Sequence, residues 1–339
     1  MSRRGDIFGK RKHHIGRWVA FFLVCAIAVC GVYTAVDNGR VVVRTQRILV
    51  WNLPQALEGF TVLLISDLNG RRFGPNQKQI ESALKGKKYN AVCVAGNMIE
   101  KRGDASPFLE LLDVLDATKP VYFIAGAGDP SPLIRQAGGL ITTVSNWVSE
   151  AQRAGAVYLD APVPLQVGKS RVWFSDAEQI TLDLESAAEA YARAGANPDD
   201  YDVGVVERAR EARARMYEDD LNIVLSRYPL REETVYRMQA INEAKGSPFL
   251  RMIDVVLAGG TAGGQWRLPF LGPLWAEGWL PRDEYTLGYH YAGSKLQYIT
   301  GGLGIETASP LPGIRLFNTP EVTLLTFTSA IGEDVLPGQ

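Results

Sequence analysis

A layered α/β fold behind a single apolar amino-terminal helix is the architecture this sequence predicts. Three observations carry that expectation. Past residue 37, short apolar runs of strand length alternate with longer amphipathic stretches of helical period, the pattern of sheets flanked by helices. Hydrophobic residues make up 46% and charged residues 22% of the 339, which excludes wholesale disorder and supplies a core for one large domain or two small ones. At the amino terminus, Trp18 to Val36 runs without a charge, and as a helix would span about 28 Å.

That apolar run is expected to be a membrane anchor. Arg3, Arg4, Lys10, Arg11, Lys12 and Arg17 precede it with Asp6 as the single acid, so the basic tail 1–17 is assigned to the cytoplasm, 18–36 to the bilayer and the rest to the outside. A cleaved signal peptide fits less well, because the stretch is long and no small-x-small cleavage site follows it. Cys30 lacks the preceding small residue of a lipoprotein site, and a buried core helix would not carry this basic flank.

Strands are expected at Arg40–Val50, Thr61–Ser66, Ala91–Ala95, Val121–Ala125, Arg171–Phe174, Asn222–Ser226, Asp254–Ala258, Leu296–Thr300 and Val322–Phe327. Helices are expected at Asn76–Leu84, Pro107–Leu115, Ile141–Ala154, Leu182–Ala194, Val205–Tyr217 and Glu232–Glu243. The stretch from about 182 to 221 is dense in charge of both signs, as a solvated helical face laced with i,i+4 pairs would be, a partner-binding lid being the other reading. Several strands end in polar or glycine-rich turns, at Ser66–Gly70, Gly96-Asn97, Gly126–Asp129, Ser226–Pro229 and Gly259–Gln265. Ligand sites in α/β sheets lie beyond the carboxyl ends of strands, so these turns are expected to meet in one crevice.

Charge and cysteine content remove several function classes. Thirty-six Lys+Arg against 37 Asp+Glu leave no global field to gather nucleic acid. The three cysteines, Cys25, Cys30 and Cys93, make neither a disulfide framework nor a zinc spacing. The turn AGGTAGGQ lacks the Lys-Ser/Thr ending of a nucleotide loop. Of three histidines, His13 and His14 precede the apolar run, leaving His290 as the one imidazole after it, so no Ser/His/Asp or Cys/His constellation is available. His290 is expected to be a hydrogen-bonding residue near a sheet edge.

The stretch Gly59–Leu68 (GFTVLLISDL), the order and spacing of the turns, Gly263-Gly264-Gln265 with Leu268-Pro269, and the closing Gly301–Gly304 with Pro320-Glu321 resemble the calcineurin-like metallophosphoesterases, above all their membrane-anchored bacterial branch. The resemblance runs from about Arg40 to Thr328. It implies a four-layer sandwich of two mixed sheets flanked by helices, occupying 38–330, with the charged helical insertion at about 182–221 and a tail at 331–339. In that family a D-x-H, a G-D, a G-N-H, a later His and a G-H-x-H hold two metal ions, and metal-bound hydroxide attacks phosphorus.

By the same resemblance, Asp67 is the surviving first ligand. Asn69 stands in place of a histidine and Asn97 in place of the carboxylate that bridges both metals. Ala127 and Gly128 replace the Asn ligand and the assisting His, Arg227 stands at the later His, and Gly260 and Ala262 replace the last pair. Asn69 and Asn97 would offer weak neutral oxygens, so the set is not expected to hold two divalent ions. A single hard cation on Asp67, Asn69, Asn97 and Asp129 is the residual metal option. If the chain were active, the metal would be Mn, Fe or Zn; otherwise no cofactor is expected.

Arg227 has two readings: a guanidinium that grips phosphate with help from Gly263 and Gly264, or a cation that pairs with Asp67 or Asp129 in the vacated hole. The leading functional expectation is a catalytically degenerate membrane protein that binds a phosphorylated envelope ligand or a protein partner outside the membrane, and no nucleic acid. An active phosphohydrolase with a centre rebuilt around Asp67, acting on a phosphodiester or pyrophosphate bond, is the first alternative. A structural subunit of a membrane complex is the second.

Overall fold

A computed structural model of the protein describes residues 12–100, 103–135, 141–247, 249–276, 278–305 and 309–329. The basic tail through Arg11 and the tail 331–339 lie outside the described residues. The apolar run belongs to a helix, Lys12–Gly39, of which Gly16–Gly39 is long and apolar enough to cross a bilayer. Its side chains stand exposed from Trp18 through Val29, as lipid-facing residues would. The last two turns differ, because Thr34, Asp37 and Asn38 are buried against the rest of the chain.

Two six-stranded mixed sheets follow. The first has the order Val42–Leu49, Glu321–Thr328, Thr61–Ile65, Ala91–Val94, Val121–Phe123 and Ala156–Tyr158. Glu321–Thr328 pairs antiparallel with Thr61–Ile65, while the other pairs are parallel. The second sheet has the order Gly288–Ala292, Lys295–Ile299, Val255–Ala258, Leu221–Ser226, Ser170–Asp176 and Val163–Val167, with antiparallel pairs at its two edges.

Strand alternation explains the layering. Val62, Leu64 and Cys93 point to the space between the sheets, where they meet Ile223, Leu225, Val255 and Leu257. Their neighbours Leu63, Ile65, Val92 and Val94 point outward to Phe108, Leu111 and Trp147 on helices Ser106–Val114 and Asn146–Arg153. Val224 and Val256 point outward on the other side to Val235, Phe249 and Leu250, on helices Glu232–Ala244 and Phe249–Met252. Tyr122 stacks on Phe174 across the two sheets at 4.1 Å. The result is the expected helix, sheet, sheet, helix sandwich.

Ile141–Ala154 is not one helix. Ile141–Val144 is a strand paired with Leu133–Arg135, and the helix begins at Asn146. The β-branched run Ile-Thr-Thr-Val favours the extended backbone, which helical spacing of its apolar residues concealed. The charged stretch forms two helices, Leu184–Ala194 and Tyr201–Arg215, each starting a little off its expected place. Arg210 ties them through Glu185 at 2.8 Å and pairs with Glu207 at 3.1 Å. The edge strands Ala156–Tyr158, Val163–Val167 and Gly288–Ala292 were not expected, being short or half-exposed.

Candidate functional site

The strands Thr61–Ile65, Ala91–Val94, Val121–Phe123, Leu221–Ser226 and Val255–Ala258 each hand the chain to one of the polar turns at their carboxyl ends. Most of these turns meet around Asp67. Its carboxylate accepts from Ser66 Oγ at 2.6 Å, from Asn97 Nδ2 at 2.9 Å, and from the Gly260 backbone N–H at 3.0 and 3.1 Å. Asn97 in turn accepts the Gly128 N–H at 2.8 Å, and Asn69 donates its backbone N–H to the Asn97 carbonyl at 2.8 Å. Asp67, Asn69 and Asn97 all have left-handed backbone, at φ 55°, 49° and 56°. Asp and Asn tolerate that region better than other side chains do, and its clustering is a mark of functional sites.

Burial raises the Asp67 carboxyl above its ordinary range, against the opposing pull of the Ser66, Asn97 and Gly260 hydrogen bonds and of Arg315. Asp129 works as a clamp beside it. It accepts the N–H groups of Ile99 and Gly126 at 2.7 Å and of Asn97 at 2.9 Å, and burial pushes it up to about 6.

The other expected residues take different places. Ala127 is exposed at the rim, while Ala262 is buried in left-handed backbone. Gly263 and Gly264 are buried, and a side chain on either would collide with Asn318 or Pro273. Arg227 abuts Gly260 through its own carbonyl, which a Cβ on Gly260 would strike. Its guanidinium points elsewhere and pairs with Glu178, not with Asp67 or Asp129. The reason is sheet order: Ser170–Asp176 is the neighbour of Leu221–Ser226, so the end of that strand and the turn after it bring Asp176 and Glu178 to Arg227. His290 lies on the edge strand Gly288–Ala292, with Nε2 2.7 Å from the Leu287 carbonyl, as expected.

The sequence reading missed Arg315. Fully buried, it donates to the carbonyls of Gly301 at 2.7 Å, Gly304 at 2.6 Å and Asn318 at 2.8 Å. Burial lowers its pKa to about 10, against the attraction of Glu321 and Asp67. The Gly302 and Gly304 backbone closes over Asp67 from that side, with the Gly304 N–H donating to the Asp67 carbonyl at 2.5 Å.

Asp67 spends its carboxylate on three protein donors, and Asn97 spends its side-chain oxygen on Gly128. Among the described residues, no group of three or more His, Cys, Asp and Glu is arranged to hold a metal ion. The open space lies to one side. A concavity of about 370 Å³ is bounded by Thr261, next to Gly260, and by Arg231, Trp279, Arg282 and Tyr285.

No family model matches the chain, and no curated sequence does either. Among solved structures, the phosphopantetheinyl hydrolase of Mycobacterium tuberculosis is similar over 76% of this chain and 96% of its own, at 14% identity and a TM-score of 0.37. TT1561 of Thermus thermophilus is similar over 72% of this chain and 90% of its own, at 12% identity and a TM-score of 0.40. Likenesses this distant assign neither a family nor an activity to the chain.

Proposed function

We propose that this chain is a membrane-tethered, metallophosphoesterase-like protein with a dismantled metal centre, acting by binding rather than by hydrolysis. The observation that carries the reading is the state of Asp67. In a working centre that carboxylate would aim a lone pair at a cation; here Ser66, Asn97 and Gly260 occupy it. Two divalent ions about 3.5–4 Å apart need anionic bridging ligands. Asn97, at the bridging position by resemblance, carries no charge and is itself hydrogen-bonded.

The ligand class we assign is a phosphorylated envelope compound with an apolar part, bound in the concavity beside Thr261. Arg231, Arg282, Trp279 and Tyr285 line it, so that guanidinium groups would meet phosphate, Arg282 by leaving Glu284, and aromatic rings would meet the apolar part. Arg227, the anchor suggested by the sequence, is likewise paired, with Glu178.

The test is metal content and phosphodiester and pyrophosphate hydrolysis of the full chain, purified with manganese, iron and zinc available. The expected result is less than about a tenth of an equivalent of metal and no turnover that depends on Asp67. Near-stoichiometric metal, with turnover abolished by Asp67→Ala, would overturn the reading in favour of an active phosphohydrolase.

A further inference from the structure

The segment Trp266–Leu280 ends in apolar tips that the fold holds outward. Phe270 is fully exposed at the turn of the small hairpin Arg267–Leu268/Gly272–Pro273, with Leu271 beside it. Trp279 and Leu280 are 62% and 61% exposed, on a loop fastened by Leu280 N–H to the Leu274 carbonyl and by Trp275 packed edge-on to Trp279. Phe270, Leu280 and the half-exposed Phe317 all adopt left-handed backbone, at φ 65°, 49° and 51°. Bulky side chains are uncommon in that region, so the surroundings impose it on three residues whose rings and chains face outward.

What lies against this surface follows from the helix. Phe317 packs on Tyr33, ring centroids 5.8 Å apart, and Tyr33 lies about 9 Å before the helix end at Gly39. Segment 312–316 is in turn bonded to Gln265–Arg267. Leu316 donates to the Gln265 carbonyl at 3.2 Å, Arg267 to the Leu316 carbonyl at 2.9 Å, and Trp266 Nε1 to the Ile314 carbonyl at 3.0 Å. Phe270 is two residues beyond Leu268, within about 7 Å of it. Hydrogen bonds therefore link the base of the Phe270 hairpin to the segment that ends in Phe317, and Phe317 packs on the helix at Tyr33. Arg40 and Arg282 are both more than half exposed, each paired with an acidic neighbour, Asp37 and Glu284.

We propose that Phe270-Leu271, Trp279-Leu280 and Phe317 dip into the leaflet at the carboxyl end of the helix, a second contact between the domain and the bilayer that holds it. The inference rests on the helix spanning a membrane. It also sets the concavity beside Thr261, which Trp279 and Leu280 help to line, at the lipid surface.

The experiment places a nitroxide on the full chain in phosphatidylcholine nanodiscs, at Phe270→Cys, Ile27→Cys or Tyr217→Cys, with Cys25 and Cys30 replaced by alanine and buried Cys93 retained. Oxygen and an aqueous nickel chelate report accessibility. At 5–10 Å below the headgroup boundary, the Phe270 label should have an oxygen-to-nickel ratio about tenfold above that of Tyr217, approaching that of Ile27. If the Ile27 label is lipid-exposed but the Phe270 label matches Tyr217, the second contact is refuted and the anchor stands. Aqueous readings at both Ile27 and Phe270 refute the anchor and the contact together. A Phe270 label shielded from both reagents means that protein, such as a second copy of the chain, covers the tips, which also overturns the proposal.

Discussion

Asn38 and Arg315 hold each other in both directions. The Asn38 side-chain amide donates to the Arg315 carbonyl at 2.7 Å, and its Oδ1 accepts the Arg315 backbone N–H at 2.8 Å. Asn38 belongs to the last turn of the long helix, and Arg315 is the buried cation beneath the Asp67 turn. Asp37 adds bonds from Thr319 Oγ1 at 2.8 and 3.0 Å, and Arg71 donates to the Asn38 carbonyl at 2.6 Å. Helix and site are thus one hydrogen-bonded body.

Asn38→Leu is therefore expected to destabilise the domain as well as the helix end. It strands a buried donor and acceptor, each costing about 1–3 kcal/mol. Thermal unfolding of the full chain in detergent should drop by several degrees. An unchanged midpoint would refute the coupling.

Asp67→Ala should act as a stability mutation in this protein. It removes the acceptor for Gly260 N–H, Asn97 Nδ2 and Ser66 Oγ inside the core. A loss of about 3–5 kcal/mol is expected, because several buried partners lose their bonds at once. Denaturant unfolding measures it, and a loss below about 1 kcal/mol would contradict the closed network.

Gly126 and Gly128 should respond differently to alanine. A Cβ on Gly126 would lie 2.6 Å from Asn97 Cγ and closer still to the Asn97 backbone, whereas one on Gly128 would sit 3.1 Å from Asn97 Oδ1. Gly126→Ala must push the Asn97 turn away, at a cost of about 3 kcal/mol or more. Gly128→Ala should cost about 1 kcal/mol or less. Equal effects in denaturant titrations would contradict this turn geometry.

Burial holds Asp129 near 6, Asp176 near 7 and Asp254 near 6, all above their unfolded values. The folded protein therefore keeps protons that the unfolded chain has released. The stability from these groups is complete below about pH 4 and is lost as pH rises to about 7. The urea midpoint should accordingly fall between pH 5 and 7.5. Asp176→Asn, neutral throughout, should flatten that decline; a decline as steep as the wild type's would refute the assignment.

The strands were easy to read where they are buried on both faces. Leu63, Leu64 and Ile65, like Val92, Cys93 and Val94, form unbroken apolar runs because one sheet face meets helices and the other meets the second sheet. The meeting of Asp67, Asn97 and Gly260 was legible for a related reason, since parallel strands deliver their following turns to one edge. Ile141–Val144 was not, because its partner strand is only three residues long and the apolar spacing of the whole stretch also suits a helix. Arg315 and the Arg227–Glu178 pair were illegible for want of any local pattern. Arg315 bonds carbonyls 11 and 14 residues away, and Glu178 reaches Arg227 only through the pairing of neighbouring strands.

The lock between Asn38 and Arg315 makes this molecule an arm without an elbow. The 28-residue helix is about 42 Å of stiff rod. When a bilayer thins, such a rod leans to keep its apolar length covered. A domain on a loose tether would ignore such a lean; on the proposal that this helix spans a bilayer, the two Asn38–Arg315 hydrogen bonds would carry the lean into the sandwich. On that proposal, bilayer thickness would set the attitude of the Asp67 face.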